Sequence, residues 1–476
     1  MAGKHLNMQK KATPVTELDA EERVGTFAEV CCGYTLDEAL NEAQRCLGCP
    51  NEPCVACCPV GVDIPGFLLQ LAEGDVAGAY ASVRRTNALP AICGRVCPQE
   101  TQCQGACTRG RNGHPVAIGL LERFVADWAL EHAVEADAAC ALSVPDGHAG
   151  RLSGKRVAAI GSGPASLTCA AELLAAGADV TVFEALHEAG GVLVYGIPEF
   201  RLPNALVERE LAQLEAGGAH IVLDSVIGKL YTLDELRGEL GFDAVFIGSG
   251  AGLPRYLGID GEALNGVCVA NELLTRVNLM HGHEFPHYGT PVFAGKRCIV
   301  VGGGNVAMDA ARTARRLGSE VTVLYRRTED EMPARAAERL HAKQEGIEFL
   351  TLASPLAALG DEDGWVRALR CQRMKLEGVD GSGRPRPVPI EGGEFTVECD
   401  MLVVAVGSKT NPLLAQTTPQ LQTDGNGLIV VDAATQMTST EGVFAGGDAT
   451  TGAATVILAM GAGKKAAAGI ADYLTR

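Results

Sequence analysis

Two segments of the chain share one pattern, and this pattern constrains the fold more than any other feature. Residues 155–185 and 296–327 each begin with Lys-Arg, continue through an apolar run, a glycine-rich turn and an alanine-rich stretch, and end in a run containing Val-Thr-Val. In both copies the second run ends 23 positions after the first glycine of the turn. A strand, such a turn, a helix and a second strand form a βαβ unit, and the N-terminus of its helix binds the pyrophosphate of a dinucleotide. The repeat therefore predicts parallel sheets and two dinucleotide sites.

The first glycine-rich turn has the composition of a dinucleotide fingerprint. Gly161 permits the tight turn, Gly163 lets the backbone approach a pyrophosphate, and the small Ser166 allows the helix to pack closely on the strand. Glu184 ends the second strand, where a carboxylate accepts hydrogen bonds from ribose hydroxyls. An ordinary tight turn between a strand and a helix is the alternative. The residues predicted to bind a nucleotide here are Gly161, Ser162, Gly163, Pro164, Ala165 and Glu184.

The second turn differs from the first at one informative place. Tyr325, followed by Arg326 and Arg327, stands where the first copy has Glu184. Loss of the carboxylate removes the repulsion of a 2′-phosphate, and two guanidinium groups offer that phosphate bidentate hydrogen bonds. The site is therefore predicted to prefer NADP(H) over NAD(H), unless the arginines are only solvated surface charges. Its predicted residues are Gly302, Gly303, Gly304, Asn305, Val306, Arg326 and Arg327.

A third segment, near the C-terminus, has an apolar run that ends in Gly447-Asp448, followed by a helix that begins near Thr455 and Val456. An aspartate there can accept a hydrogen bond from a ribityl or sugar hydroxyl, and a helix N-terminus stabilises negative charge on a reduced flavin. Alone, this segment is only a helix N-cap pattern. Together with the turn at Gly161 it predicts an FAD domain that is interrupted by the NADP(H) domain.

Cysteine is concentrated near the N-terminus, where 11 of the 17 lie between residues 31 and 107. Seven of them form two runs with short spacing: Cys46, Cys49, Cys54 and Cys58, then Cys97, Cys103 and Cys107. Such runs are typical of [4Fe–4S] ligation, and zinc is the alternative. In two-cluster ferredoxins the last cysteine of a run binds the other cluster. Applied here, that rule joins Cys58 to the second run and leaves the first three cysteines short of one ligand.

Composition excludes several classes of partner. The 476 residues suffice for two to four domains at roughly 150 residues each. The net charge of −18 repels nucleic-acid phosphates. No run of 18 apolar residues exists for a membrane helix, and the N-terminal residues lack the apolar core of a secretory signal. We therefore expect a cytoplasmic protein with no nucleic-acid or membrane partner.

Together these segments resemble the small-subunit (β-subunit) family of NADPH-dependent glutamate synthase. The resemblance spans about residues 38–470 and includes RCLGCPNEPCVACCPVGVDIP, AICGRVCPQETQC, both glycine-rich turns, GGVLVYGIPEFRLP, VVGGGNVAMDAARTA with YRR, and GGDATTGAATVILAMGAGKKAA. The family includes the NADPH-binding large subunit of electron-bifurcating ferredoxin:NADP oxidoreductase, sulfide dehydrogenase α-subunits and the N-terminal half of dihydropyrimidine dehydrogenase. The segment CPVGVDIPGF looks closer to the ferredoxin:NADP oxidoreductase subunits.

The resemblance implies one FAD, one NADP(H) and two [4Fe–4S] clusters, with Gly191 beside the flavin. A glutamine completes one cluster in dihydropyrimidine dehydrogenase and a glutamate does so in the bifurcating subunit; Glu122, in AIGLLERF, has the matching position. Cys57 and Cys93 are the other candidates for the missing ligand, and an exposed helix residue is the alternative for Glu122. The implied α/β fold has a helical, double-cluster ferredoxin-like domain followed by two Rossmann-like domains. Its expected boundaries are 1–150 for the iron–sulfur domain, with a linker at 136–153, then 151–291 and 408–476 for FAD, and 292–407 for NADP(H).

Three functions fit this sequence. The first is a subunit of a ferredoxin:NADP oxidoreductase, which exchanges electrons with a second subunit and with ferredoxin. The second is the small subunit of glutamate synthase, which needs a large subunit because no glutaminase nucleophile or FMN barrel is recognised here. The third is an electron-transfer scaffold without nucleotide turnover, which the intact glycine-rich turns disfavour. A disulfide-relay reductase is also disfavoured, because no Cys-x2-Cys or Cys-x4-Cys pair follows Cys107.

Overall fold

The structure, a computed structural model, describes residues 6–132, 150–381 and 383–476. Most of the linker predicted at 136–153 lies outside these residues. Among the described helices, none is both long and apolar enough to cross a membrane.

Residues 6–132 form a helical domain. Its helices are α1 (Ala20–Val24), α2 (Leu36–Ala43), α3 (Pro53–Ala56), α4 (Ile64–Ala72), α5 (Val76–Arg84), α6 (Pro90–Val96), α7 (Cys103–Ala106) and α8 (Ile118–Glu131), and its short strands are β1 (Thr16–Glu17) and β2 (Cys31–Gly33). Helix α2 begins with a capping box, in which Thr35 Oγ1 accepts from Glu38 N at 3.4 Å and Glu38 Oε2 accepts from Thr35 N at 2.8 Å. Helix α8 buries the apolar face that includes Leu121 and Val125. These short helices leave loops between them, and the loops carry most of the predicted iron ligands.

The first Rossmann-like domain is built on a parallel sheet with the strand order β17-β6-β3-β4-β5. Its elements are β3 (Arg156–Ile160), α9 (Pro164–Ala175), β4 (Asp179–Phe183), α10 (Val192–Tyr195), α11 (Asn204–Ala216), β5 (His220–Val222), α12 (Leu233–Gly238) and β6 (Ala244–Ile247), then α16 (Leu413–Thr417), β17 (Val443–Ala445), α17 (Asp448–Thr451) and α18 (Val456–Leu474). The C-terminal strand β17 pairs with β6, so two distant parts of the chain complete one sheet. This is the interrupted domain that the sequence predicted.

The second Rossmann-like domain has a parallel sheet with the strand order β11-β10-β9-β15-β8. Its elements are β8 (Val267–Val269), α13 (Ala270–Asn278), β9 (Arg297–Val301), α14 (Asn305–Arg316), β10 (Glu320–Tyr325), α15 (Ala336–Gln344), β11 (Glu348–Thr351) and β15 (Met401–Val404). Strand β8 pairs with β15, and α13 packs on α14. The second sheet therefore includes β8, which the expected boundary at residue 292 assigned to the FAD domain.

An antiparallel sheet is inserted between β11 and β15. It consists of β12 (Ala353–Gly360), β13 (Val366–Val379) and β14 (Pro385–Glu398). A two-stranded ladder of β7 (Leu253–Pro254) and β16 (Ser408–Lys409) joins the two crossings between the Rossmann-like domains.

One hydrophobic core connects the helical domain to the first sheet domain. Ile92 and Leu121 of the helical domain belong to the same buried cluster as Leu167, Leu193 and Met460. A shared core of this kind fixes two domains relative to one another, because separating them would expose its apolar surface to water.

Candidate redox sites

Both glycine-rich turns adjoin one cleft of about 380 Å³ between the sheet domains. From the predicted flavin side it is lined by Gly161, Ser162, Gly163, Pro164, Ala165, Glu184, Gly191, Asp448, Thr455 and Val456, and from the second unit by Asn305 and Val306. Gly447 lies next to this wall, and its φ is +66°. The lining does not include Gly302, Gly303, Gly304, Arg326 or Arg327. The structure thus brings most of the predicted flavin-binding residues to one wall.

Close backbone approaches explain the glycines of the first turn. Gly161 has a φ of +88°, and a Cβ there would lie 2.8 Å from the carbonyl oxygen of Gly248. Gly191 has a φ of +56°, and its Cβ would lie 3.0 Å from Gly163 Cα. A Cβ on Gly163 itself meets nothing within 4 Å, so the space in front of the helix N-terminus is open. An open, positive helix end is where a pyrophosphate binds.

Glu184 is buried and bonded to its own turn. Its Oε2 accepts hydrogen bonds from Ser162 N at 2.8 Å and from Ser162 Oγ at 2.6 Å, while Oε1 accepts from Leu186 N at 2.9 Å. Ser162 Oγ in turn accepts from Gly190 N at 2.8 Å. This network joins the turn after β3 to the end of β4, and it fixes the carboxylate at the edge of the cleft.

Asp448 of α17 and Tyr195 of α10 both line the cleft. Burial raises the pKa of Asp448 to about 6, partly offset by a hydrogen bond from Ala454 N. Burial, with the charges of Asp448 and Glu184, raises the pKa of Tyr195 to about 12. Tyr195 was not predicted from the sequence as a site residue, although it lies in the quoted GGVLVYGIPEFRLP segment.

The second turn is tightly packed except at its third glycine. A Cβ on Gly302 would lie 2.3 Å from the carbonyl oxygen of Ala405, and a Cβ on Gly303 would lie 2.7 Å from the Tyr325 ring. The Tyr325 hydroxyl donates to the carbonyl oxygen of Glu331 at 3.0 Å, which holds the ring over the turn. A Cβ on Gly304 would meet nothing within 4 Å, and Gly304 is the N-cap of α14, as Gly163 is the N-cap of α9. The two units therefore present the same open helix end.

The two arginines after β10 have different environments. Arg326 is exposed, whereas Arg327 is 2% exposed. Arg327 Nη2 donates to Asp380 Oδ2 at 2.6 Å, and its Nε donates to the carbonyl oxygen of Pro385 at 2.7 Å. The guanidinium of Arg327 thus ties the second sheet to the antiparallel sheet, and Arg326 is the exposed cation at this strand end.

Four cysteines from both runs surround one pocket in the helical domain. Cys46, Cys49, Cys54 and Cys107 line it together with apolar side chains that include Leu68. Burial raises the pKa of Cys54 to about 11, and the charges of Cys46 and Cys107 raise it further. We call these four residues group A.

The remaining predicted ligands form a second set, which we call group B: Cys58, Cys97, Cys103 and Glu122. Burial raises the pKa of the Cys103 thiol, and the charges of Glu122 and Cys58 raise it further. Burial also raises the pKa of Glu122 to about 7, and one hydrogen bond from Asn87 opposes this shift. Buried acidic groups that face one another suit a cluster of positively charged irons, because metal binding replaces their protons.

The division of the ligands differs from the sequence prediction. The ferredoxin rule placed Cys107 with the second run, and the resemblance offered Glu122 to complete the first. The structure instead has Cys107 on the pocket of group A and Glu122 close to Cys97 of group B. The reason is topological: α3 packs against α7, which brings the loop after α7 and its Cys107 to the first run. Helix α8 packs against α6, and this places Glu122 beside Cys97. Glu122 is 9% exposed, so it is not an exposed helix residue.

The other candidate cysteines lie differently. Cys57 is exposed, and Cys93 is buried with its Sγ 3.4 Å from Met460 Sδ of α18. Group B is next to the nucleotide cleft, because Val96 and Pro98, the neighbours of Cys97, line that cleft. Val96 and Pro98 were not predicted from the sequence as site residues, since nothing local marks them.

A peptidase-like pattern lies outside these sites. His283, Glu284 and His287 have the His-Glu-x-x-His spacing, which binds zinc when a helix puts both histidines on one face. Here a single 3-10 turn ends at Glu284, and Pro286 follows two residues later. In the described parts of the chain, no three His, Cys, Asp or Glu side chains are placed to hold a single metal ion. A [4Fe–4S] cluster makes a different demand, because each ligand binds a different iron.

Two family models match the chain. The model described as dihydropyrimidine dehydrogenase domain II, 4Fe-4S cluster, matches residues 23–134. The model described as pyridine nucleotide-disulphide oxidoreductase matches residues 155–463 and so covers more than half of the chain. A solved structure of FprA from Mycobacterium tuberculosis in complex with NADPH has a TM-score of 0.54 at 22% identity, covering 67% of this chain and 84% of that one. That similarity shows the shared fold.

Curated relatives match nearly the whole chain. The glutamate synthase [NADPH] small chain of Halomonas elongata is 37% identical over 96% of this chain and 95% of its own length. The NADP(+)-dependent formate dehydrogenase subunit beta of Moorella thermoacetica is 39% identical over 89% of this chain, which spans 60% of that relative's length. The NADPH-Fe(3+) oxidoreductase subunit beta of Geobacter sulfurreducens is 35% identical, with 89% and 64% covered.

These matches confirm the predicted fold class, the resemblance and the cofactor classes. The N-terminal region is of the 4Fe–4S type, and the two Rossmann-like domains are of the type that binds FAD and NADP(H). The chain is an NADP-dependent oxidoreductase. It belongs to the family of the small chain of NADPH-dependent glutamate synthase.

Proposed function

We propose that this chain is a subunit that moves electrons between NADP(H) and a partner protein, as in the bifurcating ferredoxin:NADP oxidoreductases. The observation that carries the proposal is the wall shared by the two cofactor regions. Val96 and Pro98 line the nucleotide cleft, and Cys97 of group B lies between them. Group B, which would hold an iron–sulfur cluster, therefore lies directly beside the cleft that would hold the flavin.

Each part of the chain has a defined task in this proposal. The open helix ends at Gly163 and Gly304 hold the two pyrophosphates, and Glu184 and Asp448 orient sugar or ribityl hydroxyls. Arg326 contacts the 2′-phosphate of NADP(H). Groups A and B each hold one [4Fe–4S] cluster, called cluster A and cluster B. When bound, the flavin accepts hydride from NADPH, and the clusters carry single electrons.

The surface around group A suits a partner protein that receives electrons from cluster A. Leu47, which lines the group A pocket, and Met8 are 37% and 65% exposed, so both offer apolar contact area to a partner. Residues 7–11 run beside the loop after Cys107, because His114 N donates to the carbonyl oxygen of Lys10 at 2.8 Å. We call the exposed cations here the basic face: Lys10, Lys11, Arg111 and half-buried Arg109. In a chain of net charge −18, this face favours a partner with an acidic surface.

Glutamate synthase is the second candidate, and one observation favours it. The chain covers 93–95% of the length of three glutamate synthase small chains, whereas it covers 60–64% of the two β-subunits named above. In that case the partner would be a large subunit that supplies the glutamate chemistry.

Anaerobic purification of the native complex tests the proposal. We expect about eight iron and eight sulfide per chain, by the ligand count of two [4Fe–4S] clusters. Addition of NADPH should bleach the flavin and then reduce the clusters, and the second polypeptide should be an electron-transfer protein. A glutaminase-containing large subunit would establish the second candidate. Stoichiometric zinc, or a flavin that NADPH does not bleach, would refute both.

A further inference from the structure

Glu122 differs from the other ligands of group B because it is a carboxylate, and one side chain holds it. Asn87 Nδ2 donates to Glu122 Oε1 at 2.7 Å. Asn87 is fully buried, and it lies in the turn between α5 and α6. Among the described residues, Asn87 is the side chain that donates a hydrogen bond to the Glu122 carboxylate. Because Oε1 accepts this hydrogen bond, the second carboxylate oxygen, Oε2, can bind a metal.

The orientation of the Asn87 amide is set by its own partners. Asn87 Oδ1 accepts from Leu89 N at 2.9 Å, and the Cys93 thiol donates to the same oxygen at 3.7 Å. Because two donors face one end of the amide, that end is the oxygen, and the NH₂ group must face Glu122. Asn87 therefore acts as a donor to Glu122.

We propose that Asn87 is a positioning residue for cluster B: it holds Glu122 Oε1 so that Oε2 faces the iron, and its hydrogen bond raises the reduction potential of that cluster. The inference rests on the proposed function, in which Glu122 completes cluster B. A hydrogen bond to a ligating carboxylate withdraws electron density from the iron and so favours the reduced cluster. The alternative is that Asn87 only stabilises the turn before α6 through Leu89.

A double-mutant cycle on the anaerobically purified full chain separates these roles. The variants are Asn87→Leu, Glu122→Cys and the combination of both, and the readouts are iron content and the midpoint potential of cluster B by electron paramagnetic resonance. Asn87→Leu should lower the ratio of reduced to oxidised cluster B at fixed potential about tenfold, which equals about 59 mV for a one-electron couple. In the Glu122→Cys background the same substitution should shift the potential much less, because a thiolate has no Oε1 to hold. The control is Asn41→Leu, which removes a half-buried amide bonded to Asn7 elsewhere in the domain. It should change neither the iron content nor the midpoint potential of cluster B.

The outcomes distinguish the inference from its premise. If Glu122→Cys leaves the potential unchanged, Glu122 is not a ligand and the ligand assignment in the proposed function is wrong. If Glu122→Cys moves the potential but Asn87→Leu shifts it equally in both backgrounds, only the role of Asn87 is overturned. Should Asn87→Leu lose cluster B, retention of that cluster in the double variant supports the proposal, and loss in both overturns it. Asn87→Asp, which keeps an acceptor for Leu89 but removes the donor, should lower the potential in the same direction as Asn87→Leu.

Discussion

The nucleotide-binding region and the iron–sulfur domain place their functional atoms by different means. In the nucleotide region, backbone at the ends of parallel strands forms the site, as at Gly163 and Gly304. In the iron–sulfur domain, side chains on short helices and loops form it, and residues up to 61 positions apart in sequence, Cys46 and Cys107, line one pocket. A backbone site depends on a local strand–turn–helix unit, whereas a side-chain site depends on how several helices pack.

This difference affects what a substitution does. Removing one side chain from the nucleotide region leaves the open helix end in place, so binding weakens by the value of one contact. Removing one ligand from group A or group B takes away one of four bonds to a cluster, and metal binding is part of the folding free energy of such a site. We therefore expect larger and more selective losses from the iron–sulfur domain.

The largest expected effect comes from separating the two clusters by mutation. Cys103→Ala, in group B, should abolish electron delivery from NADPH to cluster A and to the partner, because the centre nearest the flavin cleft is lost. Cys54→Ala, in group A, should abolish partner reduction alone and leave cluster B reducible by NADPH. Rapid-mixing absorbance with electron paramagnetic resonance measures both. Reduction of a two-electron dye by NADPH, which needs the flavin only, is the control, and identical behaviour of the two variants would contradict the division into groups A and B.

The next effect contrasts the two arginines of the nucleotide region. Arg326→Gln should raise the KM for NADPH by roughly 10- to 100-fold and leave that for NADH unchanged, since one charged hydrogen bond is worth about 1.5–3 kcal/mol. Arg327→Gln should instead lower the free energy of unfolding by about 1.5–3 kcal/mol, because it removes the charged hydrogen bond from the buried guanidinium to Asp380. Steady-state kinetics with both nucleotides and denaturant unfolding check the pair. An equal loss of NADPH and NADH binding in Arg326→Gln would refute the 2′-phosphate assignment.

The same contrast explains which parts of the site the sequence could predict. The nucleotide turns could be found because Gly161 and Glu184 act within one βαβ unit, where spacing along the chain fixes spacing in space. The position of Cys107 beside the first cysteine run could not be predicted, because it depends on the packing of α3 against α7. The environment of Arg327 could not be predicted either, because its partner Asp380 lies 53 positions away, in the turn between β13 and β14.

Charge on the basic face should have a smaller effect, and one that depends on salt. Lys11→Glu with Arg111→Glu should slow reduction of an acidic ferredoxin about tenfold at low ionic strength, because steering of oppositely charged partners contributes that much or more to association rates. The difference should diminish at about 1 M salt, where the screening length is about 3 Å. Arg370→Glu with Arg386→Glu, on the antiparallel sheet, is the matched control. Equal slowing by both pairs would show that net charge matters and the location near group A does not.

The smallest expected effect is a pH dependence that belongs to the nucleotide region. Burial raises the pKa of Asp448 from 3.8 to about 6, so the folded apoprotein binds this proton more tightly than the unfolded chain does. By linkage, the free energy of unfolding should then fall as the pH rises from about 4 to about 6, because the folded state must ionise a buried carboxyl. Asp448→Asn should flatten that part of the profile and weaken FAD binding if the carboxylate accepts a hydroxyl. Denaturant unfolding of the FAD-free protein at several pH values measures the slope. An unchanged slope in Asp448→Asn would mean that other carboxyls set the profile, and an unchanged FAD affinity would remove Asp448 from the flavin site.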